Sequence, residues 1–135
     1  MSNFTVLVID DNDDSNKLVQ LVLQQDTDWQ VEIASSGIDG ITQARLRSPE
    51  IILLDVAMPE MDGVEVYKVL KSSSKTSSIP VVFLTAMPML EQTLIRKIDR
   101  DVAVIAKPLD ILTLSERITS IWVESQKPKF ATLFD

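Results

Sequence analysis

Ile51-Ile52-Leu53-Leu54-Asp55, followed by Val56-Ala57-Met58-Pro59-Glu60-Met61-Asp62-Gly63, decides the fold of this chain. A continuous apolar run of this length is too short for a helix and has no polar face. It reads as a strand buried on both sides, as happens in a parallel sheet covered by helices above and below. A carboxylate ends the run, and a Pro- and Gly-bearing loop then breaks the chain before the next helix. Working outward, the same grammar recurs. Val6-Leu7-Val8-Ile9 ends in Asp10 and Asp11, the run through residue 84 ends in Thr85, and residues 102–106 end in Lys107. Residues 29–34 alternate in the manner of a strand.

Between these runs lie helix-length stretches. Leu18, Val19, Leu21 and Val22 mark one helical stripe, and Ile38, Ile41, Ala44 and Leu46 a second. Val64, Val66, Tyr67 and Leu70 mark a third. Leu90, Leu94, Ile95 and Ile98 follow Pro88, which suits a first helical turn. Ile111, Leu114, Ile118, Ile121 and Trp122 form the last stripe. The Ser-rich run 72–78 reads as a surface loop. Five strands alternating with five helices predict an α/β fold with right-handed crossovers: a doubly wound, five-stranded parallel sheet, flavodoxin-like, in the order 2-1-3-4-5. That order sets strands one, three, four and five side by side. Asp10, Asp11, Asp55, Thr85 and Lys107 would then gather beyond the carboxyl ends of the strands, where open α/β sheets place their chemistry.

Composition narrows that chemistry. At 135 residues the chain is expected to be one domain, over residues 1–123, with a mobile tail at 124–135. The net charge of −7 repels phosphate backbones, so no direct contact with nucleic acid is expected. With neither Cys nor His, thiolate catalysis, imidazole bases and soft-metal sites are excluded. Any metal would be held by oxygen, which favours Mg²⁺. No secretory signal or membrane-length apolar run is visible, so a cytoplasmic location without membrane association is expected.

Taken singly, each residue has an ordinary explanation. An Asp-Asp pair often caps a helix, an Asp before a Pro/Gly loop often forms a turn, and a Lys before Pro is often on the surface. Taken together, three carboxylates demand a cation, and Lys107 adds a point charge suited to a phosphoryl oxygen. Thr85 adds a hydroxyl, and small Ala86 lets its backbone N–H approach closely. This set fits phosphoryl transfer, with Asp55 as the nucleophile because it ends the central strand.

At this point the chain resembles the receiver domain of two-component response regulators, over about residues 4 to 123. The resemblance rests on Val8-Ile9-Asp10-Asp11, Leu53-Leu54-Asp55-Val56-Ala57-Met58-Pro59 with Met61-Asp62-Gly63, Leu84-Thr85-Ala86 and Lys107-Pro108. It implies that Asp55 accepts a phosphoryl group from a phosphohistidine on a sensor histidine kinase or histidine phosphotransfer protein. It further implies Mg²⁺ held by Asp10, Asp11, Asp55 and the backbone carbonyl of Ala57. Thr85, Lys107 and the Ala86 N–H would contact phosphoryl oxygens, and the Lys107-Pro108 peptide would be cis. The strand order is in part an implication of this resemblance, since receivers are a standard example of it. The resemblance also implies a signalling protein in place of an enzyme, phosphorylated by its own chemistry. A downstream protein partner and a homodimer surface on the fourth helix, fifth strand and fifth helix are expected.

Two departures from the family pattern bear on mechanism. Val104 stands where an aromatic usually moves on activation, so the response is expected in residues 87–98 more than in strand five. Ala57 and Met87 flank the path of hydrolytic water and cannot orient it, so slow self-dephosphorylation is expected. With no further domain visible, the expectation is a stand-alone receiver or phosphate relay. Competing readings are a phosphorylation-independent binding module of the same fold, a Mg²⁺-dependent phosphatase and a flavodoxin-like electron carrier. Ala57 gives the phosphatase no general acid, and the acidic loop 10–14 gives the electron carrier no phosphate cradle.

Overall fold

The computed structural model describes residues 3–128. Each apolar run becomes a strand: β1 (Thr5–Ile9), β2 (Gln30–Ala34), β3 (Ile51–Asp55), β4 (Val81–Thr85) and β5 (Ala103–Ala106). Between and after them lie α1 (Asp13–Asp26), α2 (Gly37–Arg47), α3 (Gly63–Ser72), α4 (Pro88–Ile98) and α5 (Leu114–Ser125). Every strand pairing is parallel, in the order β2-β1-β3-β4-β5. The flavodoxin-like architecture expected from the alternation is the one observed.

Strand alternation divides the core into two layers. Leu7, Ile9, Ile52, Leu54 and Phe83 face Val66, Tyr67, Leu70 and Ile95 of α3 and α4. Val6, Val8, Ile51, Leu53, Val82 and Leu84 face Val19, Leu23, Leu114 and Ile118 of α1 and α5. With both faces covered, every residue of β3 and β4 is buried, which is why these runs carry no polar positions before their last residue.

Register then brings the strand ends together. Ile9 pairs with Leu54, so Asp10 follows beside Asp55. Asp55 pairs with Leu84, and Thr85 pairs with Ala106, which sets Lys107 next in line.

Several expected core positions are corrected. In α1 the buried face runs through Asn16, Val19, Val22 and Leu23, leaving Leu18 and Leu21 exposed off its edge. Ile38 and Leu46 of α2 are exposed, as are Leu90, Leu94 and Ile98 of α4, and Ile111 lies outside the last helix. A 3.6-residue period identifies candidate faces, but the sheet accepts only as much of each as it can cover. The run 72–78 is not wholly surface, because Thr76 is buried and its Oγ1 donates to the Leu70 carbonyl at 2.6 Å. Helix α5 continues to Ser125, two residues past the expected boundary at 123. The rest of the tail, residues 129–135, lies outside the described residues.

Candidate functional site

Asp10 leaves β1 and is fully buried, and three contacts fix it. Its Oδ1 accepts the Asn12 N–H at 2.9 Å, its carbonyl accepts Asn16 Nδ2 at 2.8 Å, and its own N–H donates to the Ala34 carbonyl at 3.1 Å. The helix cap is Asn12, whose side chain accepts the Ser15 N–H at 2.8 Å. Asp10 and Asp11 are therefore released from the capping role that an Asp-Asp pair commonly takes.

Asp55 ends β3 and is 7% exposed. The loop after it turns at Glu60, with φ of 66°, and enters α3 through a capping box between Asp62 and Glu65. Gly63 presses directly on this strand end. A Cβ there would sit against the Asp55 carbonyl and 2.9 Å from Val56 Cα, while its N–H donates to the Val56 carbonyl at 2.8 Å. Glycine is required here for space, not for its dihedral freedom. The Asp62-x-x-Glu65 pattern is the sequence signal for this helix start.

Lys107 closes the cluster. Its Nζ lies 2.7 Å from Asp10 Oδ2 and 3.3 Å from Asp55 Oδ1, and its peptide bond to Pro108 is cis. Its N–H donates to the Thr85 carbonyl at 2.7 Å, which ties the lysine to β4. Asp11 is exposed, yet one oxygen from each of Asp10, Asp11 and Asp55 falls within 4.8 Å of the others. The structure thus brings Asp10, Asp11, Asp55 and Lys107 together. Ala57 and Ala86 are exposed at the ends of the adjacent strands.

The cluster is electrostatically strained. Burial, and then the charge of Asp10, push the Asp55 carboxyl up from 3.8 to about 6. The charge and hydrogen bond of Lys107 oppose that rise, and Asp11 adds to it. Burial works to lower the Lys107 pKa, but its hydrogen bond to Asp10 and the charges of Asp55 and Asp10 outweigh this, and the net shift is upward. Three carboxylates with one lysine leave an excess of negative charge. An all-oxygen donor set of this kind fits a hard divalent cation.

Thr85 ends β4 as expected, with its hydroxyl turned towards α4. It is fully buried, and its hydroxyl donates to the Glu91 carboxylate of α4 while accepting the Met87 N–H at 3.0 Å. Glu91 was not singled out in the sequence, where an acid in a first helical turn needs no further explanation. Asn16 was also missed. It is 4% exposed, and its Oδ1 has no hydrogen-bond partner among the described residues.

Comparison with known proteins identifies the family. The family model described as response regulator receiver domain matches residues 6–119. The polar-differentiation response regulator DivK of Brucella ovis is 31% identical over 117 residues, covering 86% of this chain and 94% of that protein. Among solved structures, the chemotaxis protein CheY4 of Vibrio cholerae superposes with a TM-score of 0.80 at 26% identity, covering 89% of this chain and 99% of that one. A putative response regulator from Chloroflexus aurantiacus gives the same TM-score, 0.80, at 26% identity, over 90% of this chain and 99% of that one. The match spans every strand that contributes to the acidic cluster, and the chain belongs to the response regulator receiver domain family of two-component signalling.

Proposed function

We propose that Asp55 of this receiver takes a phosphoryl group from a phosphohistidine on a sensor histidine kinase or histidine phosphotransfer protein, and that the resulting acyl phosphate changes protein–protein contacts. The single observation behind this reading is the Lys107 ammonium set between Asp10 and Asp55, within a cluster whose three carboxylates approach to 4.8 Å. An Asp55 oxygen attacks phosphorus as the P–N bond breaks, and the imidazole takes up a proton as it leaves. Asp10, Asp11, Asp55 and the Ala57 carbonyl would hold Mg²⁺, which would neutralise the carboxylates and polarise the phosphoryl oxygens. Lys107 already lies against both buried carboxylates, so it can follow the charge as it moves onto phosphorus. The Thr85 hydroxyl and the Ala86 N–H are the remaining donors assigned to the phosphoryl oxygens.

Asp55 is the self-phosphorylating acceptor of a signalling protein, and Ala57 and Met87 leave hydrolytic water unoriented, so the adduct decays slowly. The exposed Leu90, Leu94 and Ile98 of α4 offer an apolar surface for a downstream partner or a second copy. The test is incubation with acetyl phosphate and Mg²⁺, read by intact mass. One phosphoryl adduct that disappears in Asp55→Asn and without Mg²⁺ is expected. An unmodified wild type would favour the phosphorylation-independent binding module.

A further inference from the structure

We propose that Glu91 is a positioning residue of this site: its carboxylate holds the Thr85 hydroxyl on α4 in the unphosphorylated chain, and the two must part for Thr85 to serve the phosphoryl group. The inference rests on the assignment of Asp55 as phosphoacceptor and adds the group that competes for Thr85. A threonine hydroxyl has one proton, and here Glu91 takes it. It cannot be given to a phosphoryl oxygen at the same time. The hydroxyl oxygen also accepts the Met87 N–H, at 3.0 Å.

What surrounds this bond gives it mechanical weight. Glu91 lies in the first turn of α4, and Met87 at the N-cap supplies no side-chain cap. Ile95 is the one buried residue of α4. The Thr85–Glu91 bond therefore ties the N-terminal turn of this helix to the end of β4. A phosphoryl group on Asp55 presents several anionic oxygens to the same hydroxyl and repels the Glu91 carboxylate. Loss of the Thr85–Glu91 bond then frees the first turn of α4, next to the exposed Met89, Leu90 and Leu94. Val104, half-buried and packed against the same core layer, has no ring that could report the movement of Thr85. The change leaves the site through α4.

A double-mutant cycle tests this. Wild type, Glu91→Ala, Thr85→Ala and the double variant are titrated with beryllofluoride in Mg²⁺ by calorimetry, with amide exchange followed over residues 88–98. Glu91→Ala should tighten beryllofluoride binding roughly 5- to 30-fold, because a charge-assisted hydrogen bond no longer competes. It should also speed exchange in the first turn of α4. Thr85→Ala should weaken binding, and adding Glu91→Ala to it should give no gain. Glu91→Gln keeps an acceptor without the charge and should fall between wild type and Glu91→Ala, which serves if the alanine variant folds poorly. A role for Glu91 in helix stability alone would change affinity equally in both Thr85 backgrounds, and that result, or no change at all, would overturn the proposal. If the wild type neither binds beryllofluoride nor gains an Asp55-dependent adduct from acetyl phosphate, the phosphoacceptor reading fails and this one with it. Normal binding without a Thr85-dependent gain removes Glu91 alone.

Discussion

Helices α3 and α4 are nearly equal in length, at 10 and 11 residues, and pack on the same face of the sheet, yet they are held in opposite ways. α3 buries Gly63, Val66, Tyr67 and Leu70 and starts in a capping box. α4 buries only Ile95 and has no side-chain cap. Its ends are tied instead by side-chain hydrogen bonds, from Thr85 to Glu91 at the start and from Tyr67 to its C-cap Asp99 at the finish. Burial, then Asp99, push the Tyr67 phenol pKa up, so this second tie persists across the physiological range. The helix after Asp55 is anchored by packing and the helix after Thr85 by exchangeable polar contacts.

The largest effect is expected in the packed helix. Leu70→Ala leaves a cavity under α3 and should cost about 2–5 kcal/mol in urea unfolding. A cost below 1 kcal/mol would erase the contrast between the two helices.

Next comes the charge at the end of β3. Folded, without bound cation, Asp55 keeps its proton up to about pH 6, against 3.8 for its ordinary value. Between those values the folded state binds more protons than the unfolded one, so stability falls as pH rises through the window. Asp55→Asn removes that cost. It should stabilise the cation-free protein on the order of 1–3 kcal/mol near neutral pH, the gain fading as pH falls through the window. Matched unfolding curves across pH check this, and an equal gain at low pH would refute the electrostatic account. If the looseness of α4 comes from its packing and not from this charge, exchange in α4 should exceed that in α3 in both proteins.

A smaller difference separates the helix starts. Asp62→Ala breaks the capping box and should cost about 1 kcal/mol, whereas Met87→Ala removes no cap and should change stability by under about 0.5 kcal/mol. The smallest effect belongs to the outer face of α4: Leu94→Ala, at a site 51% exposed, should be neutral within about 0.5 kcal/mol. A large cost there would mean that a partner or second copy covers this face in solution.

Much of this was legible in the residues. The runs ending in Asp10, Asp55, Thr85 and Lys107 located four strands, because burial on both faces leaves a strand no polar position until it emerges at its carboxyl end. Position along the chain thus carried the meeting of Asp10, Asp55 and Lys107, which strand register alone enforces. The apolar stripes of α1, α2 and α4 were less informative. Leu18, Ile38 and Leu90 fit the helical period as well as their buried neighbours do, and coverage by the sheet, a property of the assembled layers, decides between them.

The sequence by itself determined the strands and the chemistry at their carboxyl ends, since those follow from hydrophobic period and strand direction, while their order was in part an implication of the family resemblance. Only the tertiary structure decided where the Thr85 hydroxyl points and that Gly63 is glycine because the Asp55 carbonyl lies against it. A side-chain hydrogen bond or a close approach depends on distances of a few ångströms between elements, and no local pattern of residue types encodes those.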